Sequence, residues 1–184
     1  MQSALVLVDI QNDYFAGGRC ELYRPEQAAE NAARILKCFR AQGMPVFHVQ
    51  HVNIRENATF FIPETEGVFI HHSVAPLPTE PVVVKHAPNS FWGTGLHEKL
   101  AAMQVEHLVL CGMMSHMCID TTARAAKDYG YAVTLIQDAC TTKDLHWGES
   151  VLDAQTVHQV FMASLNGMFA KVQNADEFLA ECAE

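Results

Sequence analysis

"VLCGMMSHMCIDTTARAAKDYG", residues 109–130, is the stretch on which the reading of the whole chain turns. It opens with an unbroken apolar run, as a strand covered on both faces would. It closes with helical spacing that stops at Gly130. Between the two lie Met113, Met114, Ser115, His116, Met117 and Cys118. If Ser115 caps the helix, Cys118 falls in its first turn, where unpaired backbone N–H groups and the helix dipole favour an anion. A thiol placed there, directly after a strand and a tight turn at Gly112, is positioned for reactivity as well as for packing.

Outward from this stretch the same alternation repeats. Apolar, β-branched runs at 4–10, 45–52, 81–86, 106–112, 131–137 and 168–172 read as strands. Helical patterns fill most gaps. The segment 25–43 carries Pro25 in a first turn, an apolar face of Ala28, Ala32, Ile35, Leu36 and Phe39, and Gly43 as a stop. Shorter helices are expected near 95–104 and 174–182, and a long one over 147–167. Strands alternating with helices predict a three-layer α/β fold with a mainly parallel sheet, here as one domain over residues 1–184. The segment 53–80 breaks the rhythm. It is long, rich in Pro, Thr and Glu, and reads as a lid, an interface arm or a tolerated surface excursion.

Composition narrows the function classes. A net charge of −9 argues against nucleic acid or an anionic membrane surface as a partner. No apolar run approaches the ~20 residues of a membrane span. The start, "MQSALVLVDIQNDYF", lacks a basic, cleavable leader, so a cytoplasmic location is expected. The cysteines at 20, 38, 111, 118, 140 and 182 form no CxxC pair, which favours reduced thiols over a disulfide framework or zinc knuckle.

In open parallel sheets ligands bind outside the carboxyl ends of the strands. Three reactive side chains sit at such ends: Asp9 in "LVLVDIQNDYF", Lys85 in "VVVKHAPNSF" and Cys118 after the fourth strand. Singly, each has an ordinary structural explanation. Together they supply a nucleophile, a carboxylate able to take and return its proton, and an ammonium favouring the thiolate.

At these residues the chain resembles the isochorismatase-like cysteine hydrolases, the superfamily that includes nicotinamidases and N-carbamoylsarcosine amidohydrolase. The resemblance runs through "ALVLVDIQNDYF", "VVVKHAPNSFWGTGL", "HLVLCGMMSHMCIDTTARAAKDYGYAVTLIQDACTT" and "VHQVFMASLNGMFAKV". It implies a Rossmann-like six-stranded sheet, homodimers or homotetramers, and a catalytic triad of Asp9, Lys85 and Cys118. It also implies a cis peptide between Met113 and Met114, and an oxyanion hole from the backbone N–H groups of Met114 and Cys118. Ser115 stands where the family usually has threonine.

Nicotinamidases carry a metal in the loop after the second strand, held by an aspartate and histidines. Here "HVQHVNIREN" offers His51 and Asn53 instead, so no metal and no cofactor is expected. His48, His51, His71 and His72 match no specific metal spacing and read as surface or pocket histidines. Phe15, Phe91, Trp92, His116 and Met117 flank the triad in sequence and are candidate pocket walls, with packing an equal explanation for the methionines. The leading expectation is hydrolysis of an amide or N-carbamoyl bond in a small molecule through a Cys118 thioester. A nicotinamidase with an altered metal site, an ether hydrolase and a non-catalytic thiol sensor on the same fold are the alternatives. The apolar stretch "TFFIPETEGVFIHH" would expose too much hydrophobic surface on a monomer, which predicts an oligomer that covers it.

Overall fold

The structure, a computed structural model, describes residues 1–182. It runs β1 (Ser3–Val8), α1 (Pro25–Ala41), β2 (Val46–His51), β3 (Val82–Lys85), α2 (Leu96–Ala102), β4 (His107–Met113) and α3 (Asp120–Asp128). Then follow β5 (Ala132–Thr141), β6 (Leu145–Trp147), β7 (Ser150–Leu152), α4 (Ala154–Leu165), β8 (Lys171–Gln173) and α5 (Ala175–Cys182). Six strands form one sheet in the order β3-β2-β1-β4-β5-β8. Every neighbouring pair in it is parallel.

From β1 the chain steps outward to β2 and β3, whereas from β4 it steps the other way to β5 and β8. Right-handed crossovers therefore place the helices of the two halves on opposite faces. Accordingly the crossover helices α3 and α4 pack together, whereas α5, which follows the last strand and is no crossover, packs with α1 on the other face. The predicted apolar face of α1 is buried at all five positions, Ala28, Ala32, Ile35, Leu36 and Phe39. The central strands β1 and β4 are buried from their second residue onward, as their continuous apolar runs require. No described helix is long and apolar enough to cross a membrane.

Four details depart from the sequence reading. The expected helix 147–167 is instead the β6–β7 hairpin, turning at Gly148 with φ +58°, followed by α4. Asp153 fixes that boundary, because its carboxylate accepts the Thr156 N–H at 3.0 Å as an N-cap. β5 runs on to Thr141, since Asn31 donates to the Asp138 carbonyl and Ala175 N–H to its carboxylate, leaving those polar groups satisfied. The last strand begins at Lys171 rather than Met168.

The fourth departure concerns Gly112, which is no turn but a residue of β4, opposite Val8 on one side and Cys140 on the other. Its φ is +136°, and a Cβ there would lie 2.0 Å from the Val8 carbonyl oxygen. Only glycine lets β4 approach β1 this closely.

Segment 53–80 folds back on its own chain. Asp13 accepts the Phe61 N–H at 2.6 Å, His71 N–H reaches the Ile10 carbonyl, and Gln11 and Gln50 both donate to the Val68 carbonyl. Phe61, Val68 and Val74 are buried by this docking, whereas Ile54, Phe69 and Leu77 stay exposed. The docking thus covers part of the apolar surface from which an oligomer is expected and leaves part of it open.

Gly112→Ala should lower stability by at least ~3 kcal/mol, because the Val8 backbone beside the new methyl must move and alanine is strained at φ +136°. Urea unfolding measures this directly. A loss below about 1 kcal/mol would show that the two central strands can separate freely.

Candidate active site

The strand order reverses between β1 and β4, and their carboxyl ends open the crevice where open α/β sheets place ligands. Asp9 follows β1 immediately, with φ +53° and no exposure. Cys118 follows β4 within a π-helical turn, Ser115–Ile119, and is also buried. Lys85 ends β3, two strands from β1, and its long side chain reaches back toward Asp9. The Lys85 Nζ lies 2.8 Å from Asp9 Oδ2 and donates to the Pro88 carbonyl at 3.1 Å. Reactive atoms of Asp9, His51 and Cys118 all lie within 4.8 Å of one another.

Ser115 does not cap a helix, contrary to expectation. It is the first residue of the π turn, and its hydroxyl lies 2.7 Å from His158 Nδ1 on α4. Two N–H groups of the turn, from Met117 and Ile119, converge on the Met114 carbonyl. The Met113–Met114 peptide is cis.

Electrostatics changes one part of the sequence reading. Burial pushes the Cys118 thiol well up, and the Asp9 carboxylate adds to that shift. Lys85 pulls the other way without reversing it. The expected help from a first helical turn is reduced because α3 begins at Asp120, after Cys118. At neutral pH the Cys118 side chain is therefore held as a thiol. Burial is the largest single influence on Lys85 and would lower its pKa, but the attractions of Asp9 and Cys118 together outweigh it and keep the ammonium charged. Neither Asp9 oxygen receives a directed hydrogen bond among the described residues, so ionic attraction to Lys85 holds the carboxylate in place. Its lone pairs remain available to a proton from sulfur.

The flanking candidates divide. Phe15 is buried and stacks on His71 with ring centres 3.7 Å apart, so it fastens the 53–80 segment beside the site. His116 lies 2.5 Å from the Thr142 hydroxyl and meets Phe161 edge-on, and Met117 stays partly exposed next to it. Phe91 packs on Tyr129 and Tyr131, beyond the end of α3 farther from Cys118, and Trp92 stands 71% exposed.

The histidines do not converge either. His48 pairs with Glu80 at 2.9 Å, whereas His71 stacks on Phe15. Only His51 joins the reactive group. A cation held by Asp9, His51 and Cys118 would face the Lys85 ammonium across the same carboxylate, so this donor set is poorly suited to a resident metal. The sequence reading left His51 among the pocket histidines, although it ends β2 just as Asp9 and Lys85 sit at the ends of β1 and β3. Ser115 with His158 was also missed, for no local pattern links residues 43 positions apart.

The family model for the isochorismatase domain matches residues 3–177. The chain is 52% identical over 179 residues to the isochorismatase family protein YddQ of Bacillus subtilis, covering 97% of this chain and 99% of that one. It is 34% identical over 152 residues to a streptothricin hydrolase of Streptomyces noursei, covering 82% of this chain and 53% of that protein. The crystal structure of a candidate isochorismatase hydrolase from Oleispira antarctica superposes with a TM-score of 0.93 at 44% identity. That match covers 97% of this chain and 96% of the other.

Lys85→Met should destabilise the fold by about 3–5 kcal/mol, because it strands a carboxylate in a dry site. Adding Asp9→Leu to that variant should recover most of the loss, since both charges are then gone. Urea unfolding of the two single variants and the double variant checks this. Additive losses would mean that the two charges do not depend on each other.

Proposed function

The chain belongs to the isochorismatase family of hydrolases, and on that premise we propose that it hydrolyses an amide or N-carbamoyl C–N bond of a small molecule through a Cys118 thioester. The observation that carries the reading is a buried thiol within 4.8 Å of a carboxylate whose oxygens lack directed hydrogen bonds. A thiol beside a base is suited to attack on an acyl carbon. Vinyl-ether cleavage, the alternative within the family, needs protonation of the substrate and no sulfur nucleophile.

The geometry supports this sequence of steps. Asp9 accepts the Cys118 proton as sulfur attacks the carbonyl carbon. The Met114 and Cys118 N–H groups receive the developing oxyanion, and Met114 N–H makes no backbone hydrogen bond among the described residues that would compete. Asp9 then passes the proton to the departing nitrogen, leaving an acyl group on sulfur. Lys85 stays charged throughout, orienting Asp9 and offsetting the negative charge that moves between carboxylate and sulfur. Water cleaves the thioester, and the thiol is restored. The likeness to streptothricin hydrolase supports a hydrolytic reaction on a small molecule.

Ammonia or amine release from a panel of primary amides and N-carbamoyl compounds would identify a substrate. With it, intact-mass analysis during turnover should show an acyl adduct on Cys118. Cys118→Ala should fold normally and lose turnover, and Asp9→Asn should lose at least ~10³-fold because an amide takes no proton. Undiminished turnover in Cys118→Ala would end the thioester reading.

A further inference from the structure

The hydrolytic half of that reaction needs a water aimed at the thioester carbon, and Asp9 is an incomplete guide for it. Lys85 already engages Asp9 Oδ2 at 2.8 Å, and one acceptor cannot fix how a water molecule is turned. His51 stands where a second acceptor is needed. It ends β2, the strand between those that carry Asp9 and Lys85, and it is the register partner of Lys85. Its Nδ1 lies 3.9 Å from Asp9 Oδ2, beyond a direct hydrogen bond and within the reach of one bridging water. A ring nitrogen also lies within 4.8 Å of the Cys118 sulfur.

Three further features suit the role. Of this group His51 is the member open to solvent, with 16% of its side chain exposed against none for Asp9 and Lys85. Its backbone is clamped by the buried Gln11, whose Oε1 accepts the His51 N–H at 2.8 Å while its Nε2 donates to the His51 carbonyl at 2.9 Å. The Phe61 ring, 5.9 Å away, limits the side chain's other flank. Burial lowers the imidazole pKa, and Lys85 lowers it further against the pull of Asp9, so a nitrogen lone pair is free near neutral pH.

We propose that His51, together with Asp9, positions the water that hydrolyses the acyl group on Cys118, an inference that rests on the thioester reading above. In that step the water oxygen bonds to the acyl carbon and the carbon–sulfur bond breaks, its electron pair staying on sulfur. Asp9 takes one water proton and returns it to Cys118. The other proton, hydrogen-bonded to His51, leaves with the product acid. His51 thus serves deacylation and has no part in forming the thioester.

The test uses p-nitrophenyl acetate, which marks acylation by release of coloured p-nitrophenolate and leaves an acetyl group on the thiol. Wild type, His51→Ala, His51→Gln and Cys118→Ala are compared by stopped flow and intact mass. His51→Ala should keep a burst of one equivalent, accumulate acetyl-Cys118 and slow in steady state by ~10²-fold. Added imidazole should restore its turnover, which repair of a merely structural defect would not do. Wild-type deacylation rates in both His51 variants would overturn the inference while leaving the thioester intact. Loss of the burst in both variants would overturn it too, by placing His51 in acylation or folding. Absence of an acetyl adduct in wild type would instead remove the thioester reading, and His51's assigned role with it.

Discussion

The Lys85 ammonium sits 2.8 Å from the Asp9 carboxylate, and neither side chain has any exposure. Taking two such charges out of water costs several kcal/mol per ion, and only close pairing offsets it. The constraint this sets is geometric. The ends of β1 and β3 must be held at one distance across the intervening end of β2, because a shift would leave a naked charge. The same dry setting pushes the Cys118 thiol up, so the proton that must move in the proposed attack is present on sulfur at rest.

Much of the surrounding structure can be understood as holding that arrangement. Gly112 lets β4 lie against β1, which brings the turn carrying Cys118 alongside Asp9. Asp13, buried four residues past Asp9, takes N–H groups from Arg19 and Phe61, and Gly67 is bare so that its carboxylate fits. This pins the 53–80 segment beside the carboxyl end of β1. Gln11 spends both ends of its amide on the backbone of His51. Polar residues buried this near a reactive centre cost desolvation unless fully bonded, and here their bonds go to the pieces of chain that frame the site.

The fold was largely legible because strong local patterns and tertiary demands agreed. The runs around β1 and β4 are apolar at nearly every position, and α1 shows its buried face at helical spacing. Where pattern and context parted, the reading slipped. Residues 147–152 look helical until Gly148 and the Asp153 cap are weighed as a hairpin and a fresh start. At the site, the strand-end rule found Asp9 and Lys85 and, applied evenly, would have found His51. It could not show that Cys118 lies in a π turn ahead of α3, or that burial outweighs Lys85 in setting its protonation. Nor could proximity in sequence show that Phe91 packs on Tyr129 and Tyr131 while the adjacent Trp92 faces solvent, because packing and not distance along the chain sets side-chain direction.

The proposed attack depends on a neutral thiol poised beside a charged carboxylate–ammonium pair. Thiolate absorbance, taken as the difference between wild type and Cys118→Ala across a pH titration, reads the state of that one sulfur. No thiolate signal from Cys118 is expected at neutral pH, with ionisation appearing only well above the range of an ordinary cysteine. A full thiolate signal at neutral pH would contradict the proposed attack, because Asp9 would then have no proton to collect from sulfur and none to hand to the departing nitrogen.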